Sequence, residues 1–549
     1  MLMMSACLAA VLIGPQPPQP DPQPPLPATA TIRGHVVAGD TGQPLRKAQV
    51  RLNRIDTTSG VTWSPGRENR LMTTDADGRY EFKDLPAGRY SVSASKGAYV
   101  TLSWGQQQSM QPGKPLDILV GQTVERVDFT LPRGGVITGR IVDEFGEPLA
   151  GLQVAAMRAV TSNGKRDLQQ AGFGSTDDLG EFRMFGLVPG QYYVQATWRR
   201  IGPGDPTSPD HTGYPVTYFP GTVNAAEAQR FTVGAGQTIG DLAMALSPIK
   251  TARLEGIVLD SHGQPMRNAT LMITHMEGTG SYTSFGGSVR PDGTFVFASL
   301  APGEYTLRTQ PGPTQKEVAM MKLTVEGEDI KDLRLVASPP SLVTGRIVVD
   351  PAQAQALPTT AFSIMAMGTD QQMYGQIMPA RVADDLSFEL SATPGRNRIS
   401  ILNLPPGWAI RAIRVNGVDA IDEGIEVKPG ENVSGVDVEL TNKLTTISGL
   451  VTNARGQPAK DYTVVVFAAD NKRWAPNSRY MRTARPDQDG RFKITGLPPA
   501  DYNIVAVDRL EPGQSIDPDF LDRMRPSAKS VAIMNGDTKT VELKLTPAS

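Results

Sequence analysis

The side chains able to do chemistry are few and scattered. Four histidines occur, His35, His211, His262 and His275. A zinc hydrolase needs closely spaced His and Glu ligands, and none of the four opens an H-x-x-E pair; His275-Met276-Glu277 is one residue too short. His35 falls on an alternating apolar strand and His262 in a Gly-x-Pro turn, where an imidazole stays solvated. There is one cysteine, Cys7, and neither a G-x-S-x-G nucleophile elbow nor a phosphate-cradling P-loop. The run Asp75-Ala76-Asp77-Gly78 invites a calcium reading, but the further oxygens and distal Glu of a calcium loop are missing, and Pro291-Asp292-Gly293 lacks even the first Asp. Turn chemistry accounts for both runs. No catalytic residue, metal or cofactor is expected.

Binding chemistry has better candidates. Five variable inserts each carry an aromatic: Trp63, Phe173, Tyr282 with Phe285, Tyr374 and Trp474. Their neighbours are small or polar, as in Val61-Thr62-Trp63-Ser64-Pro65 and Arg473-Trp474-Ala475-Pro476-Asn477. A planar ring in that setting suits the apolar face of a sugar or a side chain of a partner. The competing reading is that these rings fold back and cap their own domain, since large aromatics are mostly buried.

The frame that positions these inserts is written five times. Its clearest copy runs D-A-D-G-R-Y-E-F-K-D-L-P-A-G-R-Y from Asp75 to Tyr90; others follow at Gly180, Gly293 and Gly490, with a worn one near Phe388. Counted from the hairpin glycine, position +2 is Tyr80, Phe182, Phe295 or Phe492, +7 is Leu85, Leu187, Leu300 or Leu497, and +12 is Tyr90, Tyr192, Tyr305 or Tyr502. Apolar residues two apart on both sides of a tight Pro-Gly turn put one strand face in a core and leave the other wet. The tyrosine joins a large apolar ring to a hydroxyl that can reach backbone at the rim.

Each unit opens on a glycine-bearing strand, at Gly34, Gly139, Gly256, Gly345 and Gly449, and closes on a strand after a Gly-led turn, as in Val127, Phe129 and Leu131. The opening glycines stand 105, 117, 89 and 104 residues apart, the length a β-sandwich needs to bury one core. The chain is therefore read as all-β: a tandem array of five seven-stranded, Greek-key-like β-sandwich domains over 31–133, 134–248, 249–338, 339–442 and 443–549. In the fourth, Leu386 replaces the hairpin glycine and Asn397 the tyrosine, which predicts the same fold with a looser hairpin. Short linkers predict a row; five domains of about 34 Å diameter would span on the order of 170 Å. Helix is expected only as a turn or two at Ala225 to Gln229 and Pro518 to Arg525. Glycine and proline, 55 and 45 of 549 residues, exceed the usual ~7% and ~5%, as turn-rich sandwiches require.

Residues 1–14 form an apolar, signal-like segment and 15–30 a proline-rich spacer. The run Leu2 to Ile13 is too short for a bilayer that needs about 20 residues, so no transmembrane span is expected and a secretory signal is. Its cleavage would leave a mature chain without cysteine, stabilised by its cores alone.

The combination G-x-[IV]-V, G-x-P, D-x-x-G-x-[FY]-x-F-x-x-L-x-P-G-x-Y resembles the carboxypeptidase regulatory-like domain, a transthyretin-like sandwich related to the B-type repeats of collagen adhesins and to starch-binding-like folds. The resemblance covers residues 31 to 549 in five copies, four good and one worn. It implies an exported bacterial envelope protein, non-catalytic, binding carbohydrate or protein. Tyr218 to Thr222, Y-F-P-G-T, also occurs in multi-domain chains of this type. The adhesin kinship raises a Lys-Asn isopeptide bond, for which Lys460 and Asn535 would be the nominees in the last unit. Both lie beside turns, where a lysine stays solvated.

A formal charge of −2 without a basic run removes the electrostatic basis for nucleic-acid binding. The expectation is a monomeric, secreted protein of the periplasm, cell surface or exterior whose partner is a polysaccharide or an envelope protein. A structural or adhesive spacer and an accessory chain of a separate enzyme are the alternatives.

Overall fold

The computed structural model describes residues 29–55, 69–106, 111–162, 165–198, 212–267, 269–276, 282–310, 317–354, 357, 362–368, 379–405, 407–428, 430–474, 478–511 and 513–548. The apolar N-terminal segment, nearly all of the proline-rich spacer, Trp63, His211 and Tyr374 lie outside these residues.

Alternation along the opening strands decides the architecture. In Ala30–Ala38, the residues Ala30, Ile32, Gly34, Val36 and Ala38 are buried while those between face outward. The equivalent strands are Gly135–Val142, Ala252–Leu259, Ser341–Val349 and Thr446–Thr452. Each pairs antiparallel with the strand that follows the hairpin: Arg79–Leu85, Glu181–Leu187, Thr294–Leu300, Ser387–Ala392 and Arg491–Thr495. On its other side each runs parallel to the closing strand of its own unit, for example Ile330–Val336 or Thr538–Thr546. A second sheet joins the strand after the Gly-x-Pro turn to the strand after the Pro-Gly turn, as in Gln49–Arg54 with Gly88–Ser95 or Thr270–Met276 with Gly303–Gln310. Among the described residues, paired sheets thus recur in successive groups along the chain. Each encloses its own apolar core, and no core cluster is shared between groups. The protein is an all-β chain of sandwiches, as its periodicity implies.

The opening glycines have a steric cause. A Cβ at Gly34, Gly139, Gly256, Gly345 or Gly449 would sit on the carbonyl oxygen of Val127, Leu242, Leu333, Val436 or Val541 and against the ring of the hairpin aromatic paired with it. The parallel closing strand and that ring can approach only where no side chain stands between them.

The worn fourth unit keeps its hairpin. Leu386 takes the left-handed conformation of the missing glycine, with φ 68°, and its N–H and C=O bond Ala383 and Ile347 as Gly78 bonds Asp75 and Val36. The Leu386 side chain packs on the unit's core, which offsets the steric cost of positive φ. The expected loosening is absent from the hydrogen bonding.

Helix is confined to short pieces. Ala225–Glu227 is a single 3-10 turn, and Pro518–Met524 is an α-helix whose Phe520, Leu521 and Met524 pack on the outer face of the last unit's second sheet. In that unit the two sheets are joined, because Ala506 and Val507 pair in parallel with Leu545 and Thr546.

The units do not form a simple row. The first touches the fifth: Gln488 exchanges two hydrogen bonds with the backbone of Asp117 at 2.8 and 3.1 Å. Arg485 donates to the carbonyl of Gly105 at 3.0 Å and to Asp461 at 2.6 Å. Lys114 reaches the carbonyl of Lys460 at 2.5 Å and Asp461 at 3.6 Å. Linker length, on which a linear array was expected, restricts bending at each junction but leaves the direction of each bend free, so the array curves back on itself.

Candidate functional site

The polar residues of the repeat are occupied by structure. Asp143, Asp177, Asp260 and Asp487 each use one carboxylate oxygen to accept the amides two and four residues ahead, at 2.8–3.0 Å; Asp75 does the same for Asp77 and Arg79. These are turn caps, and no group of three or more potential metal ligands occurs among the described residues. The repeat tyrosines turn back four residues: Tyr90 donates to the carbonyl of Pro86, Tyr192 to Val188, Tyr305 to Ala301 and Tyr502 to Pro498, at 2.5–2.8 Å. In the worn unit Asn397 makes the same bond to Thr393 through its amide nitrogen, at 2.7 Å. Burial raises the phenols of Tyr192 and Tyr502 above the usual range, and those of Tyr80 and Tyr462 likewise.

The described histidines are apart. His35 lies near Asp128 at 3.5 Å, His262 sits in the turn capped by Asp260, and His275 bonds the carbonyl of Glu304 and stacks on Tyr305. Lys460 is exposed at the contact with the first unit, and Asn535 is an exposed turn residue lining the junction with the fourth. The two face different neighbours.

The insert aromatics diverge. Trp63 and Tyr374 lie outside the described residues, and Tyr282 and Phe285 are placed only by their backbone, on the strand Tyr282–Ser288 that pairs with Thr270–Met276. Trp474 ends the 3-10 turn Asn471–Arg473 and is half-buried. Its indole N–H donates to Ala468 at 2.8 Å, its ring meets Phe467 edge-on at 5.5 Å, and Arg525 lies over it at 5.1 Å. Those contacts fix it to its own unit. Phe173 stands 79% exposed on the strand Lys165–Ser175. Gly172 and Gly174 flank it; a Cβ at either would meet Leu187 or Arg183, so the strand presses close on its inner side and turns Phe173 out. In register beside Phe173 come Ala155, Gln195 and Tyr218, with the Gln195 amide 3.4 Å from the Tyr218 hydroxyl.

Residue spacing does not reveal a cleft of about 570 Å³ between the fourth and fifth units. Arg479 ties its walls together, bonding Asp422 at 2.9 Å and the carbonyl of Arg411 at 3.0 Å across the junction. Tyr480 lies on its floor, with Arg473 and Arg479 over its ring at 4.3 and 5.0 Å. The basic residues that line it are spread from Arg398 to Arg482, without a run that charge patterning could detect.

The sandwich units, with their tyrosine and aspartate caps, define a family by sequence as well. The carboxypeptidase regulatory-like domain matches residues 31–132, 253–336 and 446–546, just over half of the chain. The chain belongs to that family. No curated protein matches it. Among solved structures it is similar to a streptococcal ancillary pilin, at 16% identity over 56% of this chain and 99% of that one with a TM-score of 0.21. The minor pilin GBS52 of Streptococcus agalactiae is similar at 14% identity over 41% and 98%, TM-score 0.23. The Bacillus anthracis TIE protein is similar at 15% over 72% and 69%, TM-score 0.15. Among the described residues no helix is long and apolar enough to cross a membrane.

Proposed function

We propose that this is a non-catalytic, secreted or cell-envelope binding protein, its five sandwich domains divided as the repeat divides them, with carbohydrate as its ligand class. The observation that carries this reading is Phe173. It is a large ring held out from a rigid sheet, with a small residue, Ala155, in register beside it. A sugar offers an apolar face to such a ring. Trp63, Tyr282 and Tyr374 occupy the corresponding inserts of other units and would repeat the contact, so that weak sites add up. Trp474, bound to its own unit, contributes to packing first.

The test is binding of the full chain to a panel of neutral polysaccharides, with Phe173→Ala as the variant. The expected result is binding to at least one member and a loss of roughly tenfold, about 1.4 kcal/mol, in the variant. Stability should stay within about 0.5 kcal/mol because the ring is exposed. No binding across the panel, or binding indifferent to Phe173→Ala, overturns the Phe173 site.

A further inference from the structure

We infer that the cleft between the fourth and fifth units binds an acidic polysaccharide, a glycan bearing carboxylate or sulfate groups; this rests on the carbohydrate reading above and gives it a second, separate surface. Seven basic side chains line the cleft against two acidic ones. Internal pairing accounts for some of that charge. Arg479 is matched by Asp422 at 2.9 Å, Arg411 by Glu439 at 2.5 Å, and Arg473 by Asp470 at 3.8 Å. Four cations remain without an ion pair among the described residues: Arg398, Lys443, Lys472 and Arg482. Among the described residues, Arg482 donates to the carbonyls of Ser478 and Met481, and Arg398 to that of Asp422. Lys443 and Lys472 are exposed. Against these four stands Glu423, the lining carboxylate that carries no ion pair among the described residues.

Low-dielectric walls on both sides focus such an excess and favour an anion. The size of the cleft argues for more than an inorganic ion, since 570 Å³ lies within the ~300–1,000 Å³ of ligand-binding clefts. Ser400, Thr441 and Asn535 place hydroxyl and carboxamide groups among the cations. Those groups suit a hydroxylated ring that carries a charge. The Tyr480 ring is already covered by two guanidiniums, so recognition here is by charge and hydrogen bonding, in contrast to the ring contact at Phe173. The consequence is salt sensitivity, because partly exposed charges are screened within about 8–10 Å at physiological ionic strength.

The experiment measures affinity of the full chain for polygalacturonate, with dextran as the neutral control, at low and high salt. The expected result is polygalacturonate binding that weakens steeply with salt and falls roughly tenfold in Lys443→Glu/Lys472→Glu. The same charge change at two exposed lysines of the third unit, Lys322→Glu/Lys331→Glu, should leave it nearly unchanged, as should Phe173→Ala. Absence of polygalacturonate binding overturns the inference. So does equal loss in both double variants, or tighter binding of duplex DNA than of polygalacturonate with the same dependence on Lys443 and Lys472. Loss in Phe173→Ala alone overturns it while sparing the Phe173 site, and loss in Lys443→Glu/Lys472→Glu alone sustains it even if that site fails.

Discussion

A carboxylate that accepts two amides from its own turn through one oxygen is held in place by that turn, and that is the state of Asp75, Asp143, Asp177, Asp260 and Asp487. The tyrosines are committed in the same way, and their burial sets the alkaline limit of the fold. Unfolded phenols ionise near pH 10, whereas burial holds those of Tyr80, Tyr192, Tyr462 and Tyr502 above that in the folded chain. Their contribution is complete below about pH 10 and is lost as pH rises beyond it. Denaturant midpoints should therefore be flat from about pH 8 to 9.5 and fall above about pH 10, with tyrosinate absorbance rising in a late phase that coincides with unfolding. A midpoint unchanged at about pH 11.5 would show that these phenols titrate freely.

At the scale of elements, the opening strand is the most constrained piece. It touches a hairpin ring and a parallel neighbour at one glycine, and substitution there forces two strands apart. Gly449→Ala should destabilise by about 1–3 kcal/mol, as overpacking does. Gly286→Ala, in a strand where an added Cβ meets nothing within 4 Å, should be neutral or stabilising by up to about 1 kcal/mol. Equal costs in thermal or denaturant melts would remove the steric account. The hairpin shows the opposite tolerance, since the fourth unit retains its turn with Leu386 at positive φ.

For the whole molecule, the contact between first and fifth units decides shape. Arg485 is buried there, and burial lowers its pKa and that of Lys114, with Asp461 opposing the shift in both. A linear array would extend on the order of 170 Å; the closed arrangement should give a clearly shorter maximum dimension in small-angle scattering. Gln488→Ala with Lys114→Ala removes four of the cross-contacts and should lengthen the particle without lowering the melting temperature of the units. A wild-type profile already at the linear length would rule out closure in solution.

The all-β sandwich fold was legible in the sequence, because period-two alternation, turn glycines and a recurrent tyrosine are local rules that each copy obeys independently. The insert aromatics were visible as residues but not as surfaces. Trp474 and Phe173 look alike in sequence, and what separates them is that Phe467, Ala468 and Arg525 surround the first, whereas two glycines press the second strand inward and leave its ring outside. The basic cleft and the contact between the ends of the array depend on how sandwiches abut. Only tertiary structure decided them, because they join side chains from separate units whose relative orientation no local pattern encodes.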